Sequence, residues 1–213
     1  MGTKLIGGGG MPGGRPRAFD VEQALDRALE VFWRQGYEGS ALSDLTAAMG
    51  INRPSLYATF GNKEQLFGRV LERYLAGPGA FAEAAMAAPT AREVAERLVY
   101  GAIELTCGAG GTPRGCLSVQ CVQSGGPDSE PARRPVLAQR MAGHAALTRR
   151  LERALAEGDL PAGSDPADLA RLVTMISDGI AVQAAGGADP ADLRRSAELA
   201  LRAFPGPART GPG

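Results

Sequence analysis

The stretch of sequence that decides the fold is GYEGSALSDLTAAMGINRPSLYATFGNKEQLF, residues 36–67. Gly50 and Gly61 separate short runs in which apolar residues recur at the three- and four-residue spacing of an amphipathic helix. Asn52 can cap a helix that starts at the next residue, and Pro54 lies in its first turn, where the missing N–H costs nothing. The pattern therefore predicts two short helices joined by a tight turn.

Helical spacing continues on both sides of this stretch. Asp20 can cap a first helix that ends at Gly36, after which Tyr37 can fold back on Phe32. The third helix is expected over 53–60, and a fourth helix follows it. The apolar stripes of the first, second and fourth helices are Ala24, Leu25, Ala28, Leu29 and Phe32; Leu42, Leu45, Ala48 and Met49; and Leu66, Phe67, Val70, Leu71 and Tyr74.

Two short helices connected in this way form a helix-turn-helix, whose second helix lies in the major groove of DNA. A pair of core helices in a bundle is the alternative. The residue types of 53–60 favour DNA, because Leu56 and Phe60 face inward while donors and rings lie on the other side. The candidate contacts are Arg53 to guanine edges, Ser55 and Thr59 to a base or thymine methyl group, Tyr57 to a phosphate, and Lys63 to a phosphate beside the N-terminal amides of the fourth helix.

Residues 36–67, together with the preceding GRPRAFD at 14–20, resemble the N-terminal domain of the TetR family of bacterial regulators over about 14–75. The resemblance implies a homodimer on a palindromic double-stranded DNA operator, usually a repressor released by a small-molecule effector. One departure is Thr59, where many members have His, and another is Ala41 with Leu42, where several carry hydroxyl residues. Carried over by position, the DNA-facing residues are Ser43, Asn52, Arg53, Pro54, Ser55, Tyr57, Thr59 and Lys63.

Arg15 and Arg17 precede the first helix in a segment with no helical pattern. They are candidate contacts of an arm that enters the minor groove, whose negative potential attracts Arg. Two solvated charges in a flexible tail are the alternative interpretation.

The charge balance limits how such a module can bind DNA. The chain carries 23 Lys+Arg and 23 Asp+Glu, which argues against non-specific coating of DNA. Residues 15–75 hold eight basic residues (15, 17, 27, 34, 53, 63, 69, 73) and eight acidic ones (20, 22, 26, 30, 38, 44, 64, 72). Without bulk attraction, specific binding needs a dimer with a few well-placed cations.

The remaining composition favours a regulator over an enzyme. The three Cys include no C-x-x-C pair and there is one His, so neither a disulfide framework nor a zinc site is supported. No P-loop, H-E-x-x-H or G-x-S-x-G occurs, and Pro113 interrupts the glycine-rich run 108–113. We therefore predict no catalytic residues, no metal and no cofactor. The apolar runs are too short for a signal peptide or a membrane span, so a soluble, cytoplasmic protein is expected.

The expected fold is all-α, with a three-helix helix-turn-helix domain joined to a larger helical ligand-binding and dimerisation domain. The boundaries are a disordered leader at 1–14, the DNA-binding domain at 15–75, the larger domain at 76–204 and a disordered tail at 205–213. Helical patterns in the larger domain cover 91–107, 114–123, 133–157, 166–185 and 190–204.

The last two helices are the predicted dimer surface, since paired with their copies they could form a four-helix bundle. Alternatively, the apolar stripes of these two helices face the core of their own chain. The dimer candidates are Leu169, Leu172, Val173, Ile176, Ile180, Leu193, Ala197 and Leu201. The resemblance places a ligand pocket among the middle helices, and its candidates are Leu98, Ile103, Cys107, Cys116, Val119, Gln123, Met141, His144, Met175 and Gln183.

Gly115-Cys116-Leu117 resembles a subset of the family that includes regulators sensing reactive electrophiles through this cysteine. A helix N-terminus and the adjacent Arg114 would lower the pKa of the thiol. A small buried apolar residue is the other interpretation. The alternative function is accordingly a helical ligand or electrophile sensor without specific operator binding.

Overall fold

The computed structural model describes residues 19–108, 115–123, 126 and 129–206. The described residues form helices joined by short turns, with no strand among them. Residues 1–14, Arg15, Arg17 and 207–213 lie outside the described residues. The helices are α1 (Val21–Gly39), α2 (Leu42–Met49), α3 (Arg53–Phe60), α4 (Lys63–Ala76), α5 (Phe81–Ala85), α6 (Ala91–Cys107), α7 (Leu117–Gln123), α8 (Glu130–Ala156), α9 (Pro166–Ala185) and α10 (Pro190–Arg202).

The predicted all-α fold is confirmed, α3, α6 and α9 have the expected bounds, and α2 ends at Gly50 as expected. The first helix differs, because it resumes after a break at Gly36, where φ is 69° and ψ is 175°. Only glycine adopts such a conformation readily. Beyond the break, Tyr37 stacks on Phe32 with ring centroids 6.0 Å apart, and Phe67 of α4 packs edge-on against both rings.

Caps define the ends of the short helices. Gly50 closes α2 in the left-handed conformation, with φ of 70°. Asn52 caps α3 through its side-chain oxygen, which accepts a hydrogen bond from the backbone N–H of Ser55. Asn62 and Gln65 form a reciprocal capping box at the start of α4. These local interactions set the angles between α2, α3 and α4.

The larger domain is built around α6, which packs against α9 and α10. The apolar stripe of α10 faces this core, since Leu193, Ala197 and Leu201 are all buried within their own chain. Val173 and Ile180 of α9 are buried there as well. These five side chains are therefore unavailable to a partner, and their placement in a dimer surface must be corrected. The helical spacing of these apolar residues was predicted correctly, but spacing alone does not show whether the same chain or a partner covers the apolar stripe.

The apolar core of α1 to α4 includes side chains from later helices. Leu117 and Cys121 of α7, with Ala132 and Val136 from the start of α8, are buried in one apolar cluster with α1 to α4. Two polar contacts reinforce this junction: the Trp33 indole N–H donates to the carbonyl of Gly115 at 3.0 Å, and the Arg134 guanidinium lies 3.8 Å from Glu64.

Other elements also differ from the pattern of the sequence: α7 begins only at Leu117, and α10 ends at Arg202 rather than at 204. The five-residue α5, which the sequence did not predict, packs on α6 where Phe81 lies against Gly101. Helix α8 begins at Glu130, three residues earlier than expected, and carries Pro135 inside. No helix within the described ranges is long and apolar enough to cross a membrane.

Candidate DNA-binding surface and ligand pocket

Helix α3 has one buried face and one exposed face. Leu56 and Phe60 are 1% and 3% exposed and anchor it to the domain core. On the opposite face, Arg53 and Pro54 are exposed, and Tyr57 is 50% exposed. The exposed ring and hydroxyl of Tyr57 are available for contact with another molecule. Among the predicted contacts, Ser55 and Thr59 are half-buried at the edges of the same surface.

Asn52 and Ser43 also lie at this surface, and both are exposed. The side-chain oxygen of Asn52 is held by the cap to Ser55 at 2.9 Å, so its amide NH2 group points away from the helix end and can donate elsewhere. Ser43 lies in the first turn of α2, with its hydroxyl 3.4 Å from Asp44. None of the residues carried over by position is buried, so each could contact another molecule.

Lys63 opens α4 and is half-buried rather than free. Its ammonium group lies 4.5 Å from the centroid of the Tyr37 ring. Burial lowers the pKa of Lys63 below its usual value, partly opposed by the nearby Glu38 carboxylate. The ring therefore fixes the position of the cation at the start of α4.

A cavity of about 210 Å³ lies between α4, α6, α7, α8 and α9. Its apolar lining is Leu75, Phe81, Ala82, Met86, Leu98, Leu105, Leu147 and Val173, and its polar lining is Tyr74, Cys116, Ser118, Gln139, Arg140, His144, Thr174 and Ser177. Such a mixture of apolar walls with a few convergent polar groups is typical of small-molecule sites. Arg140 is paired with Asp178, so its charge is already neutralised.

The structure brings only some of the predicted pocket residues to this cavity. Leu98, Cys116 and His144 line it. Three others are buried but do not line the cavity, namely Ile103, Cys107 and Val119. The last four are exposed to solvent: Gln123, Gln183, Met141 (73% exposed) and Met175 (64% exposed). The polar residues Ser118, Gln139, Arg140, Thr174 and Ser177 were missed, because the sequence does not show which faces of α7, α8 and α9 converge.

Tyr74 and Cys116 face each other across the wall of the cavity. The phenol oxygen lies 3.2 Å from the Cys116 sulfur, and burial raises the pKa of Tyr74, with the neighbouring thiol adding to the effect. Tyr74 belongs to α4 and Cys116 immediately precedes α7. The cavity wall is therefore also a contact with the DNA-binding domain.

Large apolar side chains are exposed on α8 and α9. Leu137 and Met141 are one turn apart on α8, and Met175 and Val182 are two turns apart on α9. The two helices pack together, joined beside these residues by Arg140 and Asp178. We call these four side chains the α8–α9 apolar surface. Of the remaining dimer candidates, Leu169, Leu172 and Ile176 are half-buried on α9.

The fold and the exposed face of α3 define a helix-turn-helix transcriptional regulator. Residues 24–70 match the family model of bacterial regulatory proteins, tetR family. The chain is 34% identical over 197 residues to the HTH-type transcriptional repressor ComR of Escherichia coli (strain K12), covering 90% of this chain and 92% of that protein.

Comparison with solved structures points to the same family. A cysteine mutant of the TetR family transcriptional regulator CifR, complexed with 26bp double-strand operator DNA, superposes with a TM-score of 0.82 at 41% identity, covering 90% of this chain and 100% of that one. A TetR transcriptional regulator from Rhodococcus sp. RHA1 is 40% identical with a TM-score of 0.56, over 86% of this chain and 98% of that one. The chain belongs to the TetR family of bacterial transcriptional regulators, and it is a regulator rather than an enzyme.

Proposed function

We propose that this protein is a repressor that binds a palindromic operator as a homodimer and is released by a small-molecule effector. The observation that carries the proposal is the exposed face of α3, with Arg53 and Tyr57 open beside the buried anchors Leu56 and Phe60. The similar repressor ComR and the operator complex of CifR support it.

The dimer is proposed to form through the α8–α9 apolar surface rather than through α10. Four large apolar side chains lie on this surface, and Met141 and Met175 are its most exposed members. Pairing them with their copies would produce a four-helix bundle of α8 and α9 from each protomer. A two-fold dimer would present two α3 helices to two half-sites. The second set of contacts would supply affinity that a DNA-binding domain with balanced charge does not gain from bulk attraction.

The effector is proposed to occupy the 210 Å³ cavity. Because Arg140 is paired with Asp178, the cavity offers no free guanidinium to an anion. Its walls are apolar on one side and carry hydroxyl, amide and imidazole groups on the other. These features favour a small neutral compound, mostly apolar, with one or two hydrogen-bonding groups.

The test is selection of binding sequences from random duplex DNA, followed by gel-shift titration of the selected site. We expect a two-fold symmetric sequence and specific binding that Arg53→Ala with Tyr57→Ala abolishes without loss of helical content. Absence of any enriched sequence, or unchanged binding by the double variant, would contradict the regulator function.

A helical ligand or electrophile sensor without operator binding is the second candidate, and it is favoured by the position of Cys116 on the cavity wall. The same gel shift separates the two candidates. If the protein binds its operator, release by an electrophile in the wild type but not in Cys116→Ser would identify a covalent effector. Equal release of both proteins would exclude a role for this thiol.

A further inference from the structure

The C-terminal end of α3 contacts residues of two other parts of the DNA-binding domain. Phe60, the last residue of α3, is 3% exposed. Its ring centroid lies 6.1 Å from that of Phe19, which is two residues before α1. The guanidinium carbon of Arg69 on α4 lies over the Phe60 ring, 4.9 Å from the same centroid. The end of α3 is thus held by an aromatic ring and by a cation.

Arg69 also contacts the backbone of α3. Its Nη1 atom donates a hydrogen bond to the carbonyl oxygen of Thr59 at 3.5 Å. The last carbonyls of a helix have no intrahelical donor and form the negative end of the helix dipole, where a cation is favourable. Helix α3 has no basic residue in its own last turn. Arg69 therefore supplies, from α4, the positive charge that this end of α3 lacks.

The orientation of α3 depends strongly on its two ends. The helix has eight residues, and only Leu56 and Phe60 are buried. The side chain of Asn52 caps the N-terminal end, and Arg69 binds the C-terminal end. Thr59, whose carbonyl accepts the hydrogen bond from Arg69, is itself a candidate base contact. The half-buried Arg69 side chain therefore acts directly on the part of α3 that is expected to read DNA.

We propose that Arg69 is a positioning residue for sequence-specific DNA binding: it fixes the orientation of α3 without touching DNA itself. The inference rests on the proposed function, and it adds a residue of α4 to the determinants of operator recognition. Hydrogen bonds to base edges, such as those expected of Arg53, demand a fixed helix orientation and carry the sequence information. A phosphate contact from Lys63 belongs to α4 and does not require α3. Loss of Arg69 should accordingly weaken sequence recognition more than general attraction to DNA.

The test compares the operator selected from random duplex DNA with a duplex of scrambled sequence. Affinities for both duplexes are measured at several salt concentrations for the wild type, Arg69→Met and Arg69→Lys, after circular dichroism and titration of the active fraction. Arg69→Met keeps an unbranched side chain beside Phe60 but removes the donor and the cation. Arg73→Met is the matched control, because it removes the same charge one turn further along α4, where the guanidinium pairs with Glu22 and Asp26 of α1.

We expect Arg69→Met to bind the operator about tenfold or more weakly than the wild type, the size of losing one or two base contacts. Its affinity for the scrambled duplex and its salt dependence should equal those of Arg73→Met, because neither variant loses a phosphate contact. Arg69→Lys should stay within about threefold of the wild type, since an ammonium group can still lie over the ring and donate to the carbonyl. A purely structural role would lower the active fraction for both duplexes alike and would leave the preference for the operator unchanged.

Three results would overturn the inference while leaving the proposed function standing. Equal losses on both duplexes, with a slope of log K against log salt that is less steep by about 2 in the dimer, would make Arg69 a phosphate contact. Unchanged operator affinity in Arg69→Met, or an equal loss in Arg73→Met, would show that α3 does not depend on this side chain. If Arg69→Met does not fold, Arg69→Gln is measured in the same way. If the wild type enriches no sequence, the proposed function itself fails, and the inference with it.

Discussion

The side chain of Asn52 accepts a hydrogen bond of 2.9 Å from the backbone N–H of Ser55 and so caps α3. The same residue is exposed on the proposed DNA-facing surface. We therefore expect two separable roles for Asn52, one in stability through its oxygen and one in DNA binding through its amide group.

Asn52→Asp should separate these roles. Aspartate caps as well as asparagine and suits the positive end of the helix dipole, so stability should be unchanged within about 0.5 kcal/mol. Operator affinity should fall at least tenfold, because a carboxylate faces the phosphates. Asn52→Ala, in contrast, should lower the free energy of unfolding by about 1 kcal/mol. Denaturant titration and gel shift measure the two effects, and full affinity in Asn52→Asp would show that this side chain does not approach DNA.

Lys63→Gln tests the proposed phosphate contact at the start of α4. Log K falls as log salt rises, and each lost phosphate contact makes this slope less steep by about 0.9. Because a dimer carries two copies of Lys63, the slope should become less steep by nearly 2. The substitution removes the cation that lies over the Tyr37 ring, so circular dichroism checks that the variant keeps its helical content. Titrations at several salt concentrations give the slope, with Arg149→Gln on the exposed face of α8 as the control. An unchanged slope would place Lys63 away from the phosphates.

Met141→Glu tests the α8–α9 apolar surface. A carboxylate there faces its own copy or apolar side chains, so the dimer should dissociate at micromolar concentration. Operator affinity should drop by about two orders of magnitude as the two half-sites become independent. Light scattering after size-exclusion chromatography measures the mass. Leu199→Glu, at an equally exposed leucine of α10, is the matched control and should remain dimeric. A dimeric Met141→Glu variant would move the interface elsewhere.

The success and failure of sequence-based prediction have physical reasons in this chain. The short helices α2 and α3 were predictable because their ends are set by local chemistry at Gly50, Asn52 and Pro54. The partner of an apolar stripe is a tertiary property, and the stripe of α10 therefore fitted a dimer surface and its own core equally well. Periodicity likewise could not show that Leu117 joins the DNA-binding core.

The cysteines should differ sharply in reactivity. Burial raises the pKa of Cys121 to about 11, so this thiol remains neutral at physiological pH. At pH 8 only about one molecule in a thousand carries the reactive thiolate, and the rate should rise about tenfold per pH unit until the pKa is reached. Site-resolved alkylation between pH 7 and 10 should show Cys116, on the cavity wall, reacting well before Cys121. Comparable rates at pH 8 would mean that α7 opens readily.

Arg73 of α4 holds the first helix through Asp26 and Glu22, and this contact should make stability depend on pH. The hydrogen bond from Arg73 lowers the pKa of Asp26 below its ordinary 3.8. The ion pair is therefore fully formed above pH 4 and is lost as the pH falls through the lowered pKa. Asp26 is more than half exposed, so Asp26→Asn should cost only about 0.5 kcal/mol at pH 7.

The cost of Asp26→Asn should shrink as the pH falls through the lowered pKa of Asp26, because the wild-type carboxyl then becomes protonated as well. Urea titrations at pH 7, 5 and 3 measure this trend, with Glu152→Gln on the exposed side of α8 as the control. High salt should reduce the difference at pH 7, since the pair lies at the surface. A difference that stayed constant from pH 7 to pH 3 would mean that the substitution acts through packing rather than through the charge of Asp26.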